Sequence, residues 1–204
     1  MGGSIVLNPV SPHYTGLFCH FTKHHHNELF ARDAGVLLSN SQDYFERTAK
    51  LNANAQAMAE FLHKSITTLP DSPVTSVQYP SLLLSKKYYD AFKKNSTPEL
   101  PDPGYGCLMT VEFESTDMAR AFYDNCGFYS SPHLGGHVTI MLGYNMFTFA
   151  QDPQQAEKYR HYGVKEESVR VSAGLEDSQD LLDTLQHALD EAIKVKKGHA
   201  TATS

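Results

Sequence analysis

From about Asp43 to Leu69, apolar or small residues return every three or four positions: Tyr44, Thr48, Leu51, Ala55, Met58, Leu62, Ile66 and Leu69. That period places them on one stripe of a single α-helix. Ser41 stands where a side-chain oxygen can bond the first free N–H groups, and Pro70 cannot continue the ladder. At about 1.5 Å per residue the helix is about 40 Å long, longer than a small domain needs. Helices of that length often bridge two domains, and the expectation is that this one has lost a neighbour.

The segments on either side are shorter. Ser4–Asn8 reads as a strand closed by Pro9, and the stretch from Ser11 to Leu38 reads as helical in pieces. After residue 70 strands and helices alternate. Pro73–Pro80 is a candidate strand, Lys86–Asn95 a short basic helix, and Ser96–Gly106, with three prolines and two glycines, a loop. In Cys107–Glu114 alternate residues change character: Cys107, Met109, Val111 and Phe113 fall on one face of a half-buried strand. A helix follows from Thr116, capped by Ser115 and ended by Gly127. His137–Leu142 is read as a strand with Val138, Ile140 and Leu142 inward, and Pro153–Tyr162 as a helix. Ser168–Ala173 is the last strand. The last helix starts at Ser178, capped by Asp177, buries Leu181, Leu182, Leu185, Ala188, Leu189, Ala192 and Ile193, and stops near Val195.

No glycine-rich phosphate loop joins a strand to a helix. Few strands, half of them alternating, predict an α+β fold: a long linking helix and a small, mainly antiparallel sheet with helices on one face. The domain boundaries expected are 1–40, 41–70 for the linking helix, 71–197 for the sheet domain, and a disordered tail over 198–204.

The last strand carries the feature with most chemical content. Val169, Val171 and Ala173 share one face; Ser168, Arg170 and Ser172 share the other. A guanidinium between two hydroxyls can grip a carboxylate with two parallel N–H bonds, which lysine cannot do. The alternative is a surface arginine paired with Glu166 or Glu167. A second cluster, Phe128–Thr139, brings together Ser130, Ser131, His133, His137 and the pair Gly135–Gly136. His133 could donate to an anion or serve as a base near neutral pH; the alternative is an ordinary turn. His20 and His24 stand four apart, a spacing that places two imidazoles on one helix face, but no acidic or cysteine partner has supporting spacing except Glu28, and a solvated helix face is the expectation, with no metal site. The acidic pairs Glu166–Glu167 and Glu176–Asp177 show no acid–base pattern, and the second opens a helix, where negative charge is favoured.

Composition narrows the partners. A formal charge of −6 gives no footprint for nucleic acid. No stretch approaches the roughly 20 apolar residues of a membrane span. Cys19, Cys107 and Cys126 form no CxxC and no disulfide framework, which fits a reducing, cytoplasmic location.

Several segments together resemble the PLP-dependent Cys/Met metabolism family, the cystathionine γ-synthase group, in its fungal form. "VRVSAGLEDSQDLL" resembles the family's arginine-bearing strand and the turn into its final helix. "DAGVLLSNSQDYFERTAKLNANAQAMAEFL" resembles its linking helix, with the pair Asn54–Ala55; "VTSVQYPSL" and "SPHLGGHVTI" resemble a strand and a turn that follow, and "MGGSIVLNP" the stretch just after the cofactor lysine. The resemblance implies the end of the large domain over 1–40 and the C-terminal domain of a fold-type-I pyridoxal phosphate enzyme, active in trans-sulfuration by γ-replacement or elimination. It implies that Arg170 holds a substrate α-carboxylate, with Ser131 and His133 in the loop beside it, although His133 stands where relatives have serine. No catalytic or cofactor-binding residue is expected in this chain, because the lysine that tethers pyridoxal phosphate and the residues that bind its phosphate match nothing here. The expected ligand is a sulfur or homoserine-type amino acid. The chain alone is expected to be catalytically silent, as a truncated relative or one completed by another polypeptide. The alternative is a non-catalytic module that joins a homo-oligomer or a full-length relative.

Overall fold

The computed structural model describes residues 5–26, 29–149 and 151–202. The chain divides into two compact units, residues 1–44 and 45–204. The first holds α1 (Tyr14–His24) and α2 (Ala31–Asn40). Among the described residues of these two helices none is buried, and Phe18, Val36, Leu37 and Leu38 each leave half or more of their surface open. The strand expected at Ser4–Asn8 is not formed: residues 5–8 pair with no other strand, and Ser4 lies outside the described residues. A short apolar run becomes a strand only when a partner edge accepts its backbone groups, and here none does.

The second unit begins at the second residue of α3 (Tyr44–Thr68), the long helix that the periodicity predicts. Its buried face starts near Asn52 and includes Ala55, Met58, Ala59 and Leu62; Tyr44 and Phe45 remain exposed. Then come β1 (Val74–Gln78), α4 (Lys86–Phe92), β2 (Leu108–Phe113) and α5 (Thr116–Cys126). Ser115 Oγ accepts from the Met118 N–H at the start of α5, and Gly127 closes it at φ +66°, a left-handed position that costs glycine nothing. The chain continues through β3 (Tyr129–Ser130), β4 (Ile140–Leu142), α6 (Tyr144–Phe149), α7 (Pro153–His161), β5 (Ser168–Ser172) and α8 (Ser178–Ala202).

The five strands form one sheet in the order β1-β2-β5-β4-β3, antiparallel except for the pair β3–β4. Val77, Met109, Val111, Phe113, Val169, Val171 and Met141 turn toward α3, α5 and α8 and make the core with Met58, Leu62, Phe122, Leu185 and Leu189. This is the α+β arrangement that the sequence predicts, with the three long helices on one face.

Two expectations are corrected. In β4 the residue that joins this core is Met141, paired with Val171, while Ile140 and Leu142 pair with Ser172 and Arg170 on the other face; Val138 is exposed. Both faces of this strand are covered, so its apolar residues carry no alternation to read. The final helix does not stop near Val195. It continues through the expected tail to Ala202, while Thr203 and Ser204 lie outside the described residues. One glycine, Gly198, costs a helix only about 1 kcal/mol, and Lys196 Nζ reaches the Ser72 carbonyl at 2.9 Å while His199 lies 3.8 Å from Asp117 of α5.

Candidate substrate-carboxylate site

Arg170 sits in the middle of β5, the central strand, on the face opposite the three long helices. Its Nη2 donates to the carbonyls of Pro132 (2.9 Å) and His133 (3.3 Å). Its Cζ lies 5.3 Å from the ring centroid of Tyr144, within the range where a cation is attracted by an aromatic face. Tyr144 is the first residue of α6. Its neighbour Asn145 is buried and donates to the Val164 carbonyl at 2.6 Å, which fixes the first turn of that helix.

Beside the guanidinium lies a hollow of about 360 Å³, lined by Gln78, Thr110, Tyr144, Tyr162, Ser168 and Arg170 among others. Among the described residues no carboxylate pairs with Arg170. The nearby candidate Glu167 is held by Arg160, whose two terminal nitrogens donate to its two oxygens at 2.7 and 2.8 Å. Partial burial pushes the Glu167 carboxyl up, but the Arg160 fork outweighs it and holds the group below its ordinary value. Among the described residues no group accepts from Arg170 Nε or Nη1. An arginine with one nitrogen anchored on carbonyls and its plane backed by a ring presents a preset fork for an anion.

The loop 130–136 is built onto β5 from both ends. Ser172 Oγ accepts from the Gly135 N–H at 3.0 Å, while Arg170 takes the carbonyls at 132 and 133. Ser131 Oγ accepts from the His133 N–H at 3.2 Å. Of the residues singled out from sequence, Arg170 lines the hollow. Ser131 shapes the loop, and His133 meets Arg170 through its backbone carbonyl, its imidazole being exposed. Gln78, Thr110 and Tyr144 come from three other elements and had no signal in the sequence beyond strand membership for the first two.

Behind this loop the turn from β5 into α8 is tied to α3. Asn54 is fully buried; its Nδ2 donates to the carbonyls of Gly174 and Glu176, both at 2.9 Å, and its Oδ1 accepts from Ser178 Oγ at 2.6 Å. Glu176 in turn accepts from the Thr139 hydroxyl at 2.9 Å, and Asp177 accepts from the Gln179 N–H at 2.8 Å as the cap of α8. Gly174 is required here: a Cβ would come within 2.4 Å of Thr139 N and Val138 C. The acidic pair Glu176–Asp177 is thus structural.

The His20 and His24 rings lie tilted to one another on α1, with centroids 4.9 Å apart. No group of three metal-ligating side chains forms among the described residues. No described helix is long and apolar enough to cross a membrane.

An arginine-bearing central strand, backed by a helix layer and tied through an asparagine to a long preceding helix, frames the hollow. Residues 44–190 match the family model for Cys/Met metabolism PLP-dependent enzymes, and the chain belongs to that family. It is 31% identical to the cystathionine gamma-synthase-like enzyme iboG2 of Amanita muscaria over 204 residues, 96% of this chain and 32% of that protein. It is 31% identical to cystathionine gamma-synthase of Neurospora crassa, covering 94% of this chain and 28% of that one. Among solved structures it resembles cystathionine gamma synthase from Xanthomonas oryzae pv. oryzae in complex with cystathionine, with 26% identity and a TM-score of 0.56 over 72% of this chain and 35% of that one. The chain thus spans about a third of the length of these relatives.

Whether these residues fit pyridoxal phosphate can be tested on the hollow itself. A covalent tether needs a lysine and the phosphate needs several donors, but no lysine lines the hollow and the cation that does is Arg170. Lys165, the nearby amine, is committed to Glu112 at 2.7 Å. This hollow holds neither the lysine nor a second cation that pyridoxal phosphate would need.

Proposed function

We propose that this chain is the C-terminal, substrate-clasping part of a trans-sulfuration enzyme of the cystathionine γ-synthase type, in which Arg170 holds the α-carboxylate of the amino acid. The supporting observation is the unpaired edge of the Arg170 guanidinium beside the hollow. The parent reaction would be γ-replacement or elimination on a homoserine ester or a sulfur amino acid, with the cofactor held by residues outside these 204. Taken alone, the chain binds amino acid and catalyses nothing. Calorimetry against homoserine, cysteine and cystathionine tests the first point: Arg170→Ala should lose about 1.5–3 kcal/mol of binding, the value of a charged bidentate contact. Equal affinity of the variant overturns the reading. Addition of pyridoxal phosphate tests the second: a stoichiometric Schiff-base band, bleached by borohydride and accompanied by turnover, overturns it.

The exposed apolar residues of α1 and α2 favour a second role, association with a full-length relative or another copy. Helices with no buried residue gain little from forming alone. Size-exclusion chromatography with and without a full-length relative decides this; a chain that stays monomeric in both argues against it.

A further inference from the structure

Three residues cross the open face of the sheet in register. Gln78 of β1 stands opposite Thr110 of β2, and Thr110 stands opposite Arg170 of β5. Directly opposed residues in neighbouring strands share a face and lie about 5 Å apart. All three line the hollow. Among the described residues the Thr110 hydroxyl has no hydrogen-bond partner, and neither has Gln78 Oε1. The other end of the Gln78 amide is anchored: its Nε2 donates to Glu112 Oε1, and Lys165 Nζ donates to Glu112 Oε2 at 2.7 Å. Glu112 is only 4% exposed. Burying a carboxylate is costly unless it is paired. Here the carboxylate, steadied by lysine, fixes which end of the Gln78 amide is free, and the free end is an acceptor.

We infer that this row selects amino acids whose side chain carries an O–H or N–H donor, and so favours, of the two substrate classes proposed above, a sulfur amino acid with a distal amine over a homoserine ester, which offers none, with Thr110 serving the nearer donor and Gln78 Oε1 the farther one. The inference rests on the carboxylate reading of Arg170, which sets the origin of the ruler. A polar group one strand step from the carboxylate meets Thr110, and one about two steps away meets Gln78. An apolar side chain of the same length would leave both residues desolvated and unpaired, and such mismatches are penalised more than a simple loss of contact.

The test uses isosteric ligand pairs with the chain itself: homoserine against norvaline, and ornithine against norleucine, by calorimetry or ligand-induced amide shifts. Homoserine should bind about three- to tenfold tighter than norvaline, the value of one hydrogen bond, and Thr110→Val should erase that ratio. Ornithine should likewise exceed norleucine, and Gln78→Met should erase that ratio while leaving the homoserine ratio in place. Equal binding within each pair, with Arg170→Ala still weakening all four, overturns the donor selection and spares the carboxylate site. Ratios that persist in the variants also overturn it, since ornithine's extra charge would then explain its advantage. If none of the four ligands binds, the carboxylate reading fails and this inference with it.

Discussion

Arg160 holds Glu167 through both carboxylate oxygens, and so removes from Arg170 a carboxylate that lies only three residues away in sequence. Two arginines ten positions apart thereby take different parts: one closes an ion pair, the other keeps an open edge toward the hollow.

The Arg160–Glu167 pair sets a pH dependence. Glu167 has a folded pKa held below its ordinary value of 4.5, with burial opposing and Arg160 prevailing. A depressed carboxyl contributes stability that is complete above its unfolded value and is lost as pH falls through the folded one. Glu167→Gln should therefore cost about 1 kcal/mol at pH 7, modest because Arg160 is partly exposed, and the gap to wild type should close below pH 4.5. Urea denaturation at the two pH values measures both.

Asn54 makes a second prediction. Asn54→Ala leaves the carbonyls of Gly174 and Glu176 and the Ser178 hydroxyl without a buried partner, at a cost of about 2–4 kcal/mol. Asn54→Asp should do worse, because a carboxylate would face two carbonyl oxygens. Thermal melts of the two variants that rank in the opposite order would contradict this account of the joint.

Gly174→Ala should destabilise the chain by about 1–3 kcal/mol, as overpacking does. The added Cβ meets backbone atoms of Val138 and Thr139 that cannot step aside. Its effect should also reach the hollow beside Arg170, since Ser172, two residues earlier, holds the 130–136 loop through Gly135.

Thiol labelling separates the cysteines. Burial pushes the Cys126 thiol well above its ordinary range, and thiolate is the reactive form. At pH 8 a thiol reagent should modify exposed Cys19 quickly and leave Cys126 untouched until denaturant is added. Rapid modification of Cys126 in the native chain would show that the α5 side of the core opens readily.

The long helix, α5 with its Ser115 cap and Gly127 stop, and the buried face of α8 were all legible because local periodicity and capping chemistry encode them. The facing of β4 was not, since Ile140, Met141 and Leu142 are all buried. Two-residue β3 and six-residue α6 are too short to show a period. Arg170 could be picked out because it interrupts a run of small and β-branched residues. Gln78, Thr110 and Tyr144 could not, because their meeting depends on strand register and on where α6 docks, which no local pattern reports. In His133 the sequence drew attention to the imidazole, whereas the backbone carbonyl makes the contact.

β5 lies in the middle of the sheet yet follows all its partners along the chain. During synthesis β2 and β4 must wait with open hydrogen-bonding edges until Ser168–Ser172 leaves the ribosome. Pairings between distant segments form late and leave such edges exposed to aggregation meanwhile. Arg170 arrives with the strand that ends the wait, so a nascent chain places this guanidinium and finishes its sheet in the same event.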